Sequence, residues 1–358
     1  MLRTSNPTLQ DVAQHLGVHK STVSRAMDPA RRHLVKADLL SRVEAAAKTL
    51  GYRPNHAAAA LSRGRSKTIG VLLPDITNPV FPPILRGIED ALDEEGYFAL
   101  LANTSRPESR SHAIEQAVDR MQAQRVEGFL VATASRDDVW LDALRQSGAR
   151  IVLINRTDGR GHLPAVISDD MLGMRLAVDH LVALGHRRIA HLAGPESLST
   201  GMARRVGFEQ ALHNHGLVAA QVVMARAYAI ESGEQAMQQL LAARAKQPFT
   251  AVVAANDLIA LGAMQTLRAA GLNVPADISI VGHNDMPLLD QVHPPLTSVR
   301  IQHYEMGYKS ARLLLDALRE RPGSQDATVM LPPQLRVRGS TAAPVQAARG
   351  STAAPFQA

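Results

Sequence analysis

The sequence contains no cysteine. That excludes disulfides, thiolate metal sites and a cysteine nucleophile. Aromatic residues make up only 3% of it, with a single tryptophan, so any core must be largely aliphatic. No apolar run approaches the ~18 residues of a bilayer-spanning helix, and no membrane partner is expected. The opening stretch MLRTSNPTLQDV lacks the apolar segment of a secretory leader, so a cytoplasmic location is expected. Enzyme signatures are also missing. No G-x-G-x-x-G follows an apolar run. Gly17-Val18-His19-Lys20-Ser21 has the ending of a phosphate loop, but His19 stands at the required glycine. Gly64-Arg65-Ser66-Lys67-Thr68 fails as a nucleophile elbow because Thr68 is not glycine. The fourteen histidines form no H-x-x-x-H pair with a carboxylate on a convincing helix. No catalytic residue, metal or cofactor is expected.

What is present fits an ordinary globular chain. It has 358 residues, 46% hydrophobic and 20% charged, enough for two or three domains. The net charge of +6 is unevenly spread. Residues 1–67 hold twelve Lys and Arg against four Asp and Glu, a balance of +8, while the remaining 291 carry 27 against 29, a balance of −2. A small +8 segment on a near-neutral body points to a phosphate-bearing partner rather than a solvated face.

That basic segment reads as three short helices. Thr8 caps the first, with Asp11 answering three residues on, and Leu9, Val12, Ala13 and Leu16 recur at helical spacing. Gly17 stops it. The second covers about Lys20 to Met27, with Val23, Ala26 and Met27 inward. The third presents Leu39, Val43, Ala46, Ala47 and Leu50 and ends at Gly51. Two helices joined by a tight turn and braced by a third form a helix-turn-helix. The exposed positions of the second are Lys20, Ser21, Thr22, Ser24 and Arg25, donors suited to phosphates and to base edges in a major groove.

TLQDVAQHLGVHKSTVSRAMD followed by VEAAAKTLGYRPN closely resembles the DNA-binding headpiece of the lactose-repressor (LacI/GalR) family. The resemblance implies a transcriptional regulator, more often a repressor. Lys20 and Ser21 would select operator bases, and Arg25 would reach a guanine edge. Thr8, Thr22, Ser24 and Tyr52 would hold phosphates of the double-stranded operator. Asn55, Ala58 and Leu61 would belong to a hinge helix in the central minor groove, with Leu61 wedged into a base step. His19 and Lys36 stand where capping Ser or Thr are usual, and Asp28 replaces an Asn near the backbone, with Arg31 and Arg32 in a longer loop to offset it.

From Ile69 short apolar runs alternate with amphipathic stretches: 69–74, 97–103, 128–134, 150–155, 188–194, 250–256 and 278–285. This pattern predicts parallel sheets covered on both faces, in two doubly wound α/β subdomains. Ligands of such folds bind beyond the carboxyl ends of the strands, where polar residues cluster. PDITNPVF, LINR, HLVALGHRRIAHLAGP and PPLTSV extend the resemblance to about Ser340. It implies an all-α helix-turn-helix headpiece on a periplasmic-binding-protein-like core that binds a small effector, a sugar or small organic anion, between its subdomains. Val80, Phe81, Asn155, Arg204, Asn256 and Asn284 match the effector positions. The usual G-F/Y-D-D reads Gly282-His283-Asn284-Asp285, which removes one charge and favours an anion at least as well as a sugar.

The expected divisions are 1–52 for DNA binding, 53–67 for the hinge and 68–340 for the core. Within the core, 68–168 with 298–327 form one subdomain, and 169–297 with 328–340 the other. RGSTAAPVQA (338–347) is nearly repeated as RGSTAAPFQA (349–358), and 341–358 read as a disordered tail. No heptads follow, so a homodimer is expected rather than a tetramer. The rival reading is a solute-binding protein of the same core fold without a regulatory role.

Overall fold

A computed structural model describes residues 7–28, 31–52, 65–104, 110–136, 138–321 and 327–345. The chain divides into two compact units, Met1–Ser66 and Lys67–Ala358.

In the first unit, α1 (Leu9–Leu16), α2 (Lys20–Ala26) and α3 (Ala37–Leu50) enclose Val12, Val23 and Val43, each fully buried. Thr8 and Asp11 form a complete capping box. The Asp11 carboxylate accepts from Thr8 N at 2.8 Å, and Thr8 Oγ1 accepts from Asp11 N at 3.3 Å. Gly17 ends α1 in the left-handed region at φ 66°. Leu9, Leu16, Val18, Met27, Leu39, Leu50 and Tyr52 close the sides of this small core. The loop arginines divide their work: Arg31 approaches Asp28 at 4.0 Å and Arg32 pairs with Glu44 at 3.0 Å.

The second unit contains two six-stranded sheets. The first is built from β1 (Thr68–Leu73), β2 (Phe98–Asn103), β3 (Gly128–Val131), β4 (Ile151–Ile154), β5 (Ala165–Ser168) and β11 (Thr328–Leu331). Its order is β11-β5-β4-β3-β1-β2, all parallel. The second contains β6 (Ile189–Ala193), β7 (Val222–Met224), β8 (Ala251–Ala254), β9 (Ser279–Asn284), β10 (Thr297–Arg300) and β12 (Gln334–Arg336). Its order is β12-β10-β9-β8-β6-β7, parallel except for β12 against β10. The chain therefore crosses between sheets after β5, after β10 and after β11. The last two crossings differ from the expected ones: β10 keeps residues 298–300 in the second sheet, past the expected boundary at 297, and β11, residues 328–331, belongs to the first sheet, so that only β12 returns to the second.

Alternate residues of the interior strands face opposite helix layers, which explains their unbroken apolar runs. On one face of the first sheet, Val71, Leu73, Val152 and Ile154 meet α4 (Phe81–Asp93) and α11 (His303–Leu318). On the other, Leu72, Phe129 and Leu153 meet α5 (Arg110–Ala123) and α6 (Val139–Gln146). The second sheet repeats the plan, with α9 (Ile230–Ala243) and α10 (Asp257–Ala269) on one face. On the other lie α7 (Asp170–Ala183) and α8 (Ser199–Asn214). Glycines let paired helices touch backbone to backbone. A Cβ on Gly87 would lie 2.1 Å from the Tyr304 carbonyl oxygen, and one on Gly307 1.9 Å from that of Ile84.

The tail reading needs correction. Residues 341–345 are described, and the start of the repeat is docked on the second sheet. The Ser340 carbonyl accepts from Ile280 N at 2.8 Å, and Ala342 N donates to Ser279 Oγ at 3.1 Å. Small polar residues without a hydrophobic pattern gave no signal of this, because the attachment runs through hydrogen bonds. Residues 346–358 lie outside the described residues.

Two predictions follow from this packing. Gly307→Ala should lower unfolding stability by about 2–3 kcal/mol in urea titration, since a backbone carbonyl cannot yield to a methyl group; a loss under about 0.5 kcal/mol would contradict the close α4–α11 contact. His191, on β6, is fully buried with its ring stacked on Phe208 at 4.6 Å, and Nδ1 donates to the Val253 carbonyl at 2.8 Å. Burial lowers its pKa from 6.5 to about 4. The folded chain refuses a proton that the unfolded chain accepts, so this site destabilises the fold as pH falls through that window, by roughly 3 kcal/mol at the bottom. His191→Gln keeps a donor for Val253 and should flatten that part of the acid-induced loss in thermal unfolding; an unchanged pH profile would refute the assignment.

Candidate functional site

The α2 helix presents Lys20, Ser21, Ser24 and Arg25 to solvent, with Thr22 half-buried, while Val23 and Ala26 anchor the opposite face. The helix starts more firmly than the His19 departure suggested. His19 Nδ1 accepts from Ser21 N at 3.2 Å and contacts Ser21 Oγ at 2.8 Å, so an imidazole does the work of the usual hydroxyl cap. Lys36, by contrast, gives α3 no side-chain cap. Thr8 is committed to its capping box, and Tyr52 packs against the bundle. The expected hinge residues Asn55, Ala58 and Leu61 lie outside the described residues.

In the second unit, the carboxyl ends of β8 and β9 meet the first turns of α7 and α8 around Arg204. This side chain, on α8, is only 2% exposed. Its Nε donates to Asp170 Oδ1 at 2.9 Å, Nη1 to the Ala255 carbonyl at 2.7 Å and Nη2 to Asn284 Oδ1 at 3.2 Å. The Tyr228 ring lies 5.8 Å from the guanidinium. Burial opposes the charge on each partner. Desolvation raises the Asp170 pKa above its ordinary value, against the pull of Arg204, whose own pKa Asp170 holds above normal despite burial.

His283 is fully buried beside this pair, with Nδ1 3.3 Å from Asn284 Oδ1 and Nε2 3.6 Å from Asp170 Oδ1. Burial and the nearby Arg204 charge hold its pKa well below 6.5, so it is neutral. Gly173 makes room for it: a Cβ there would lie 2.7 Å from His283 Nε2. Asn256 caps α10, its Oδ1 accepting from Ile259 N at 2.9 Å. Next to it, burial pushes the Asp257 pKa up to about 7, while Asp257 accepts from Ser298 Oγ and from Met286 N.

Strain collects at these strand ends. Asn155 after β4 (φ 64°), Asn284 (φ 111°) and Asp285 (φ 53°) are non-glycine residues in left-handed conformations, which persist only where surrounding contacts over-determine them. Asp285 is held by Arg300 at 2.6 Å and Arg338 at 2.7 Å. Across the two subdomains, Arg136 N donates to the Ser197 carbonyl at 3.0 Å, and Thr157 N to Ser199 Oγ at 2.9 Å.

The expected effector residues thus separate into groups. Arg204 and Asn284 touch, and Asn256 adjoins the Ala255 carbonyl that Arg204 holds. Asn155 lies at the corresponding end of the first sheet, with its buried Oδ1 free of partners among the described residues. Val80 and Phe81, at 3% and 2% exposure, belong to the first subdomain's core. The sequence places Asp257 in the polar cluster after the sixth apolar run but not among the effector positions, and it gives no sign of Asp170 or Tyr228. Among the described residues, no group of three His, Asp or Glu is placed to hold a metal ion, and no helix is long and apolar enough to cross a membrane.

Comparison with known proteins places this geometry. Residues 8–55 match the family of bacterial regulatory proteins of the lacI type, and residues 178–341 match a periplasmic binding protein-like domain. The chain is similar to the HTH-type transcriptional repressor CytR of Escherichia coli (strain K12). The two are 34% identical over 339 residues, 94% of this chain and 96% of the relative. It is also similar to the lac repressor dimer bound to operator and the anti-inducer ONPF, with TM-score 0.84 and 30% identity over 95% of this chain and all of that one. A cellobiose complex of the transcriptional regulator CelR matches with TM-score 0.71 and 31% identity, covering 93% and 99% of the two chains. The chain belongs to the LacI/GalR family of bacterial transcriptional regulators, sequence-specific DNA-binding proteins whose activity a bound small effector modulates.

Proposed function

We propose that the chain is a cytoplasmic, homodimeric repressor whose effector is a neutral polyhydroxyl molecule such as a sugar. The observation that carries the effector class is the neutralisation of Arg204 by Asp170. The case for an anion assumed an uncommitted guanidinium and a crevice made less negative by Asn284. Asp170 already neutralises Arg204, and a second anion would compete with it in a desolvated site. Hydroxyl groups suit what remains: spare guanidinium N–H donors, the free Asn155 Oδ1 and the side-chain amides of Asn256 and Asn284. The cellobiose held by the related CelR is of this class.

On the DNA side, Lys20, Ser21 and Arg25 read base edges, and Thr22, Ser24 and Tyr52 fix the register on phosphates, while Thr8 serves by capping α1. Asn55, Ala58 and Leu61 enter the minor groove between half-sites. The dimer surface is built on the edge strands β2 and β7. There Phe98 (60% exposed), Leu101 (45%), Val222 (37%) and Met224 (40%) leave apolar side chains in water that a second copy would cover.

Three measurements test this reading. Thermal-shift screening should find stabilisation by neutral sugars or related polyols and none by carboxylates or phosphorylated metabolites at equal concentration; stabilisation by the anions alone would reject the neutral class. Phe98→Glu with Leu101→Glu should sediment as a monomer where the unsubstituted chain is a dimer, and an intact dimer would reject the β2 edge. Arg25→Ala should abolish preference for a site selected from random duplexes, and Lys20→Ala should relax one base position by about 1–3 kcal/mol. Unchanged selectivity in both would remove α2 from the interface.

A further inference from the structure

The repeated carboxyl-terminal segment offers a second inference, independent of operator and effector. The first copy occupies a built seat on the second sheet. Arg338 N donates to Thr297 Oγ1 at 2.9 Å, its Nη1 to the Leu296 carbonyl at 2.7 Å, and its Nη2 pairs with Asp285 at 2.7 Å. Gly339 N donates to the Pro295 carbonyl at 3.0 Å. Ser340 is fully buried: Oγ donates to the Ile280 carbonyl at 2.6 Å and accepts from Thr297 N at 2.8 Å. Thr341 Oγ1 meets His180 Nε2 at 2.9 Å, and the Ala342 carbonyl accepts from His186 Nε2 at 2.9 Å.

Every residue making these contacts recurs in the second copy as Arg349, Gly350, Ser351, Thr352 and Ala353. The two ten-residue copies differ only at Val345, against Phe356. Val345 is 76% exposed, so the seat has no hold on the one position that tells the copies apart. The chain therefore carries two occupants for one seat.

We propose that the second copy, residues 349–358, is an alternative occupant of this seat within the same chain. When Arg349 takes the place of Arg338, the eleven residues 338–348 loop out after Val337. Closing that loop is an entropic penalty that the first copy, attached directly to β12, does not carry. The first copy therefore holds the seat in the unsubstituted protein. The second replaces it when the first is disabled, and the Asp285 pair is then restored by Arg349. The seat is in effect a docking groove for an R-G-S-T-A-A-P segment.

A double-mutant cycle in the full-length chain tests this. Tryptophan cannot fit where Ser340 is buried, so Ser340→Trp disables the first copy and Ser351→Trp the second. Thermal unfolding of Ser340→Trp should show less than half the Tm loss of the double variant, and Ser351→Trp alone should show none. The rescue should not depend on protein concentration, and sedimentation should be unchanged. Equal Tm losses in Ser340→Trp and the double variant would overturn the proposal. So would a double variant as stable as the unsubstituted chain, a loss in Ser351→Trp alone, or a rescue that appears only with concentration and larger assemblies.

Discussion

The Arg204–Asp170 pair is the interaction on which the polar crevice of the core depends. A guanidinium and a carboxylate buried this deeply lose most of their hydration, and their attraction offsets that loss only with good geometry and further hydrogen bonds. Both conditions hold: Arg204 spends its remaining contacts on the Ala255 carbonyl and on Asn284. One side chain on α8 thereby ties the start of α7 to the ends of β8 and β9. Without it, Asp170 would be a buried carboxylate with no countercharge.

The polar chain does not stop there. Asn284 is followed by Asp285, which holds Arg300 at the end of β10 and Arg338 in the docked tail. Asp170 stands just after the first crossing between sheets, and Arg300 just before the second. The residues that would feel an effector are thus bonded to the segments that connect the subdomains. An effector shifts such an arrangement only by binding one subdomain geometry better than another, and its coupling to DNA affinity is reciprocal. The strained backbones of Asn155, Asn284 and Asp285 sit at the same strand ends.

Much of this was legible in the residues. The capping box, the helical spacing of Leu9, Val12 and Leu16 and the stop at Gly17 define the headpiece, because local rules govern short helices. Six of the seven apolar runs correspond to strands covered by helices on both faces, and the run at β2 is an edge strand whose apolar side chains stay exposed. The strands that escaped notice are short, as with Gln-Leu-Arg in β12 and Val-Val-Met at the β7 edge, where exposure leaves no continuous pattern. At the site, Arg204 and Asn284 were found through the family resemblance. Asp170 was not, because Asp169-Asp170 reads as ordinary capping acids. Asp169 does cap α7, accepting from Leu172 N at 2.9 Å, but its neighbour turns inward to a partner 34 residues away. Phe81 matches an effector position, while packing places its side chain in the core of the first subdomain. Residues 341–345 of the small polar tail carry no hydrophobic signal because the segment is held by hydrogen bonds.

The most direct test is a thermodynamic cycle on the central pair, using Arg204→Met, Asp170→Leu and the double variant in urea unfolding. Either single change strands a buried charge and should be severe, at about 3–5 kcal/mol, whereas the double removes both charges and should be far less destabilised than the sum of the two. Losses that simply add would contradict the account, because they would mean that Arg204 and Asp170 contribute independently and that no buried ion pair holds the crevice together.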